Sequence, residues 1–203
     1  MQIMNNTFSN FPLYCTGIAI DNYSDVLISG NTLTGPVVKG TGIYLNASSP
    51  RLLNNTVQPF KYGVACANGS AALFENKGSG GYNFFTNNKP AMFFDFSDAL
   101  LGDEFGENTI CMNSGLDVYL SESIVLGKNN HWAGNDDPPG TFEIISSTLK
   151  YDPWGGSCGG ANPILGKGGK ENEGDPMMSP VPALVLQGSA RTSARQSRAS
   201  GWI

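Results

Sequence analysis

Five carboxylates, Asp95, Asp98, Asp103, Glu104 and Glu107, fall within a dozen residues of one another. Side chains of this type at that density supply oxygen ligands to calcium, or acids, bases and hydrogen-bond acceptors to a sugar. Their spacing does not follow the Asp-x-Asp-x-Asp-Gly calcium loop. The cluster therefore reads as an exposed acidic loop on a long insertion, with no cofactor expected and no motif behind calcium. The chain has one histidine, His131. A catalytic imidazole needs a nucleophile or carboxylate at hand, and the flanking Asn129-Asn130 and Trp132 suit a packing role better. Arg51, in a Ser-Ser-Pro-Arg turn, is the only arginine before residue 155. No Gly-x-Ser-x-Gly elbow occurs, so no catalytic residue is assigned.

Binding chemistry has better candidates. Tyr44 and Tyr119 occupy equivalent places in two short apolar bursts, where outward rings would either stack on sugars or serve as ordinary strand residues. Within the acidic cluster, Asp95, Asp98 and Asp103 are the residues that would contact a sugar. Five Asn-x-Ser/Thr sequons (Asn5, Asn22, Asn46, Asn54, Asn68) follow from turn composition. The cysteines, Cys15, Cys66, Cys111 and Cys158, contain no CxxC pair, which excludes a close-spaced zinc motif. Disulfides stay open, and burial as small hydrophobes is the plainer reading of Cys66 and Cys111.

The framework holding these residues is a strand-and-turn protein. Charged residues make up 14% of the 203, against a usual ~25%. Glycine (26) and asparagine (20) fill the shortfall, and both favour tight turns. Runs of Ala, Leu, Glu and Lys at helical spacing are missing. Residues 1–155 carry a net charge of -7 and residues 156–203 a net +2. An acidic body opposes a phosphate backbone, so no nucleic-acid partner is expected. Arg191, Arg195 and Arg198 read as part of a solvated terminus. No segment approaches the ~18 consecutive apolar residues of a membrane span.

An irregular repeat of 21 to 25 residues runs through the first 155. One motif is apolar-x-x-Asn-x-apolar: Ile3 to Phe8 around Asn6, Ile28 to Leu33 around Asn31, Leu52 to Val57 around Asn55, and Phe105 to Ile110 around Asn108. Weaker copies begin at Leu73 (Asn76) and Leu126 (Asn129, with Trp132 an alternative last apolar residue). Between them lies a second burst: Gly17-Ile18-Ala19-Ile20, Gly42-Ile43-Tyr44-Leu45, Gly63-Val64-Ala65-Cys66, and degraded forms at Ala91 and Asp117. Each burst alternates with the period of a strand. A unit this small buries its apolar face only by stacking on copies of itself. The expected architecture is all-β, a right-handed parallel β-helix of about six coils over residues 1–155, with a mostly disordered tail over 156–203. The recurring Asn sits at a turn, glycine ahead of the second strand gives the backbone freedom, and Ile28, Leu52 and Leu73 stack in one interior column. Residues just after the second strand form an outward column, Asp21, Asn46, Ala67, Asp95 and Ser121.

The coils around Asn31-Thr32-Leu33, Gly42-Ile43-Tyr44-Leu45 and Asn55-Thr56-Val57 resemble those of the pectin-lyase-like superfamily of parallel β-helix proteins. Asn129-Asn130-His131-Trp132 with Tyr151-Asp152-Pro153-Trp154 looks like the closing coil of its secreted bacterial members. The resemblance implies an extracellular or cell-surface protein and a polysaccharide or surface-glycan partner. The chain opens inside a repeat, at Ile3, so a preceding region carrying a signal peptide is expected. With no convergent polar constellation, the expected function is a non-catalytic module presenting a flat face for adhesion or carbohydrate contact. The alternative is a polysaccharide lyase, epimerase or hydrolase whose active coils lie partly upstream.

Overall fold

The computed structural model describes residues 1–36, 39–75, 80–102, 106–114, 116–132, 142–151 and 156–157. All belong to one unit, Met1–Gly169. Their secondary structure is all strand, with no helix among the described residues, arranged as a parallel β-solenoid of three sheets. With strands numbered in chain order, the first sheet stacks Gln2–Met4 (β1), Ser24–Ser29 (β4), Ser49–Leu53 (β7), Ala71–Leu73 (β10), Asp98–Gly102 (β13), Ile124–Gly127 (β16) and Thr148–Lys150 (β19). The second stacks Thr7–Phe8 (β2), Thr32–Thr34 (β5), Thr56–Gln58 (β8), Phe84–Thr86 (β11), Thr109–Cys111 (β14), His131–Trp132 (β17) and Gly156–Ser157 (β20). The third stacks Thr16–Asp21 (β3), Thr41–Asn46 (β6), Tyr62–Ala67 (β9), Met92–Asp95 (β12), Val118–Ser121 (β15) and Phe142–Ile145 (β18). Pairing thus continues through Gly156 and Ser157; residues 158–203 lie outside the described set.

Inward columns make the core. Phe8 stands over Leu33 and Leu33 over Val57, and in the same sheet Val57, Phe85, Ile110 and Trp132 follow in register. Ile20, Leu45, Cys66, Phe94 and Leu120 form another column, each at 3% exposure or less. Trp132 closes edge-on against Phe142, at 5.1 Å between ring centroids, and Phe142 leans on Tyr151 at 5.4 Å. Ile28 and Leu52 stack as expected, but Leu73 does not join them. It pairs with Arg51 on the outer face, and the next residue, Phe74, fills the core. A strand alternates faces at every residue, so reading the weak copy one position early inverts it.

A ladder of asparagines, buried from Asn31 onward, binds the coils along the corner between the first and second sheets. From Asn6 through Asn31, Asn55, Asn83 and Asn108 to Asn130, the backbone N–H and side-chain Nδ2 of each donate to Oδ1 of the next, at 2.8–3.1 Å. Nδ2 also reaches a carbonyl of the preceding coil, as in Asn55 to Ile28 and Asn83 to Leu52. The residue before each ladder Asn is left-handed: Asn5, Gly30, Asn54, Tyr82, Glu107 and Asn129, with φ of 50–66°. Two rungs differ from the sequence-based expectation. Asn83 serves the fourth coil, while the expected Asn76 lies outside the described residues; Asn130, not Asn129, serves the last. Extra residues between β10 and β11 stretch that coil to 28 residues, past the expected 25.

Glycine in the second burst is required for room. Gly17, Gly42 and Gly63 lie inside β3, β6 and β9, and none has a positive φ. A Cβ on Gly17 would stand 2.7 Å from the Gly42 carbonyl, and one on Gly63 would stand 2.4 Å from that of Ala91. Only hydrogen fits between such closely stacked backbones.

Cys66 is free and fully buried, and burial pushes its thiol far up, so it is inert packing as expected. Cys111 is buried too, but it is disulfide-bonded.

Candidate functional site

The third sheet places most of the expected binding residues. Alternation along its strands sends two columns outward. One runs Ala19, Tyr44, Ala65, Phe93, Tyr119, Glu143; the other runs Asp21, Asn46, Ala67, Asp95, Ser121, Ile145. The second is the column expected from the sequence. Its edge is fixed by a tight corner in which one residue turns left-handed (Asn22, Ala47, Asn68, Phe96, Glu122 and Ser146, φ 46–55°). Serines then link successive coils: the N–H of Ser48 donates to Ser70 Oγ, that of Ser97 to Ser123 Oγ, and that of Ser123 to Ser147 Oγ. Serine is too common on surfaces for this ladder to show in one sequence.

The two tyrosines have different surroundings. Tyr119 lies face to face on Phe93, with centroids 4.9 Å apart and planes 4° from parallel, and Phe93 meets Tyr62 at 5.2 Å. The face Tyr119 would offer a sugar on that side is covered by a neighbouring ring. It is a rung of an aromatic ladder worth about 0.5–1.5 kcal/mol per pair. Tyr44 has alanine on either side in its column, Ala19 and Ala65. It is half-buried, and among the described residues its hydroxyl has no hydrogen-bond partner.

Beside Tyr44 lies a hydrogen-bonded polar strip. Asp21 Oδ1 accepts from Nδ2 of both Asn22 (2.9 Å) and Asn46 (2.5 Å). Asn46 Oδ1 accepts from Asn68 Nδ2 at 2.6 Å. Asn46 is two residues from Tyr44 on the same strand face. In the sequence Asn22 and Asn68 read only as sequon and turn residues, while Asn46 also stands in the expected outward column.

The described acidic residues, Asp95, Asp98 and Glu107, do not converge. Asp95 ends β12 on the third sheet and Asp98 begins β13 on the first, across a two-residue corner and not on a long insertion. Asp98 Oδ1 accepts the Ile124 N–H at 2.9 Å. Glu107 lies beside ladder residue Asn108, its Oε2 3.2 Å from Nε2 of His131. His131 therefore has the carboxylate neighbour its sequence did not reveal. Asp103 and Glu104 lie outside the described residues. Arg51 sits within strand β7, not a turn, and is exposed on the outer face of the first sheet between Leu27 and Leu73. Among the described residues, no three His, Cys, Asp or Glu side chains gather as a metal site would require. No described helix is long and apolar enough to cross a membrane.

Comparison with protein-family profiles, curated protein sequences and solved structures finds no match to this chain.

Proposed function

We propose that this chain is a non-catalytic β-helix module of a secreted or cell-surface bacterial protein, and that the outer face of its third sheet contacts carbohydrate. The observation that carries this reading is the placement of Tyr44 two residues from Asn46, on the same outward face as the hydrogen-bonded Asp21–Asn46–Asn68 strip. Sugar recognition calls for an apolar ring beside fixed polar groups, and both come from consecutive rungs of one rigid sheet. The disulfide at Cys111 favours an oxidising compartment. The pectin-lyase-like resemblance of the coils supports the same reading, and a right-handed sense accords with the general hand of parallel crossovers.

The spacing of the carboxylates argues against catalysis by them. Asp21 and Asp95 are three rungs apart, roughly 14 Å at ~4.8 Å per rung, where a glycosidase pair needs ~5–9.5 Å. Arg51, the basic candidate for a lyase, lies on another sheet. Incubation with immobilised polysaccharides is expected to retain the protein without releasing reducing ends or unsaturated products. Product release would overturn the proposal in favour of a lyase or hydrolase, and failure to bind any polysaccharide or cell surface would overturn it outright.

A further inference from the structure

The polar strip beside Tyr44 leaves hydrogen-bond acceptors unpaired. The amide nitrogens of Asn22, Asn46 and Asn68 each donate to a neighbour's oxygen within the strip. Among the described residues, Asp21 Oδ2 and the Oδ1 atoms of Asn22 and Asn68 have no partner. Asp21, Asn22 and Asn68 are exposed at the corner. The strip thus turns free acceptors outward, and each amide nitrogen has one of its two N–H groups engaged within the strip. Charge points the same way. Asp21, Asp95 and Glu143 stand in the outward columns of this sheet. None of the sheet's described strands carries a lysine or arginine, and Lys61, just ahead of β9, holds its ammonium over the Tyr62 ring at 4.7 Å.

Resting on the proposed carbohydrate-binding role, we infer that the ligand of this face is an uncharged, hydroxyl-bearing polysaccharide aligned with the solenoid axis, and not a polyuronate or sulfated glycan. Hydroxyl groups donate, so they satisfy Asp21 Oδ2, Asn22 Oδ1 and Asn68 Oδ1 directly. Ionised carboxylates and sulfates only accept, and they meet both acceptors and like charge here. From Asp21 to the Asn68 corner the strip crosses two rungs, about 10 Å at ~4.8 Å each, so successive sugars can meet successive rungs.

Affinity electrophoresis of the full chain tests this. The uncharged probes are hydroxyethyl cellulose, xyloglucan, galactomannan and dextran; the polyanions are polygalacturonate and alginate. Gels are run in low salt and at ~0.5 M NaCl, where charge interactions are strongly screened. At least one uncharged polymer is expected to retard the protein at tenfold lower concentration than either polyanion, with little change in salt. Tyr44→Ala should weaken that retardation about tenfold, near 1.4 kcal/mol. Asp21→Asn, which replaces an acceptor with a donor, should narrow the preference over polyanions. Retardation by the polyanions alone overturns this inference but leaves the carbohydrate-binding face standing. Retardation by no polymer overturns both.

Discussion

Replacing Asn83 with alanine is expected to cost about 3–6 kcal/mol, a loss of the size expected at any fully bonded middle rung of the asparagine ladder. Asn83 is 1% exposed, and its side chain serves four bonds. Oδ1 accepts from the N–H and Nδ2 of Asn55, and Nδ2 donates to the Leu52 carbonyl and to Asn108 Oδ1. Alanine strands at least the Asn55 N–H and the Leu52 carbonyl in a dry corner, at about 1–3 kcal/mol each, on top of the bonds lost. A solenoid is held by nearest-neighbour contacts, so a broken middle rung weakens both flanks. Against a total stability of ~5–15 kcal/mol, that is enough to unfold much of the population. Asn54→Ala is the control: Asn54 is exposed and left-handed at φ 54°, so its loss should cost only about 1 kcal/mol. Urea denaturation of both variants checks the pair. Equal midpoints would remove Asn83 from the ladder.

The second large effect belongs to Gly81. A Cβ there would lie 1.6 Å from the Phe74 carbonyl oxygen and 2.5 Å from Asn108 Oδ1. The backbone cannot yield easily. Its N–H donates to the Gly106 carbonyl at 2.9 Å, and its own carbonyl accepts the Asn54 N–H at 2.7 Å, so it is tied to coils on both sides. Gly81→Ala is expected to cost at least about 3 kcal/mol, at the upper end for overpacking, because the clash is with backbone and a buried ladder group. Gly69 offers the contrast, since a methyl added there would meet nothing within 4 Å and its φ is +80°. Gly69→Ala should lose only the ~1–2 kcal/mol of a left-handed alanine. Thermal unfolding separates the two, and similar melting temperatures would contradict the close packing of Gly81 on Phe74.

These two positions also mark where the sequence stops being readable. Asn31, Asn55 and Asn108 are legible because apolar residues flank them at constant spacing. Asn83 is not. Additional residues break the spacing ahead of it, and Tyr82 fills the left-handed position usually held by Asn or Gly. The Lys128-Asn129-Asn130 run offers two asparagines for one ladder place, and only the pairing of His131 with Thr109 settles which is buried. Leu73 misleads for a related reason: in a three-residue strand, parity rests on one residue, and Phe74 is the stronger core candidate. The outward column from Asp21 to Ser121 is legible because the Gly-apolar-x-apolar burst fixes parity before the column begins. Tyr44 is found from its own strand. The difference between Tyr44 and Tyr119 emerges only on reading across strands, where alanine flanks one ring and Phe93 covers the other.

That difference permits the most direct test of the binding face, made on Tyr44→Ala and Tyr119→Ala together. For each variant, the midpoint of urea unfolding is set against retention on the polysaccharide that binds the parent chain. A crossing is predicted. Tyr119→Ala loses about 1–2 kcal/mol of stability as its stack on Phe93 disappears yet keeps its binding, whereas Tyr44→Ala unfolds near the parent midpoint and loses most of its retention. Binding lost with Tyr119 and kept without Tyr44 would contradict it.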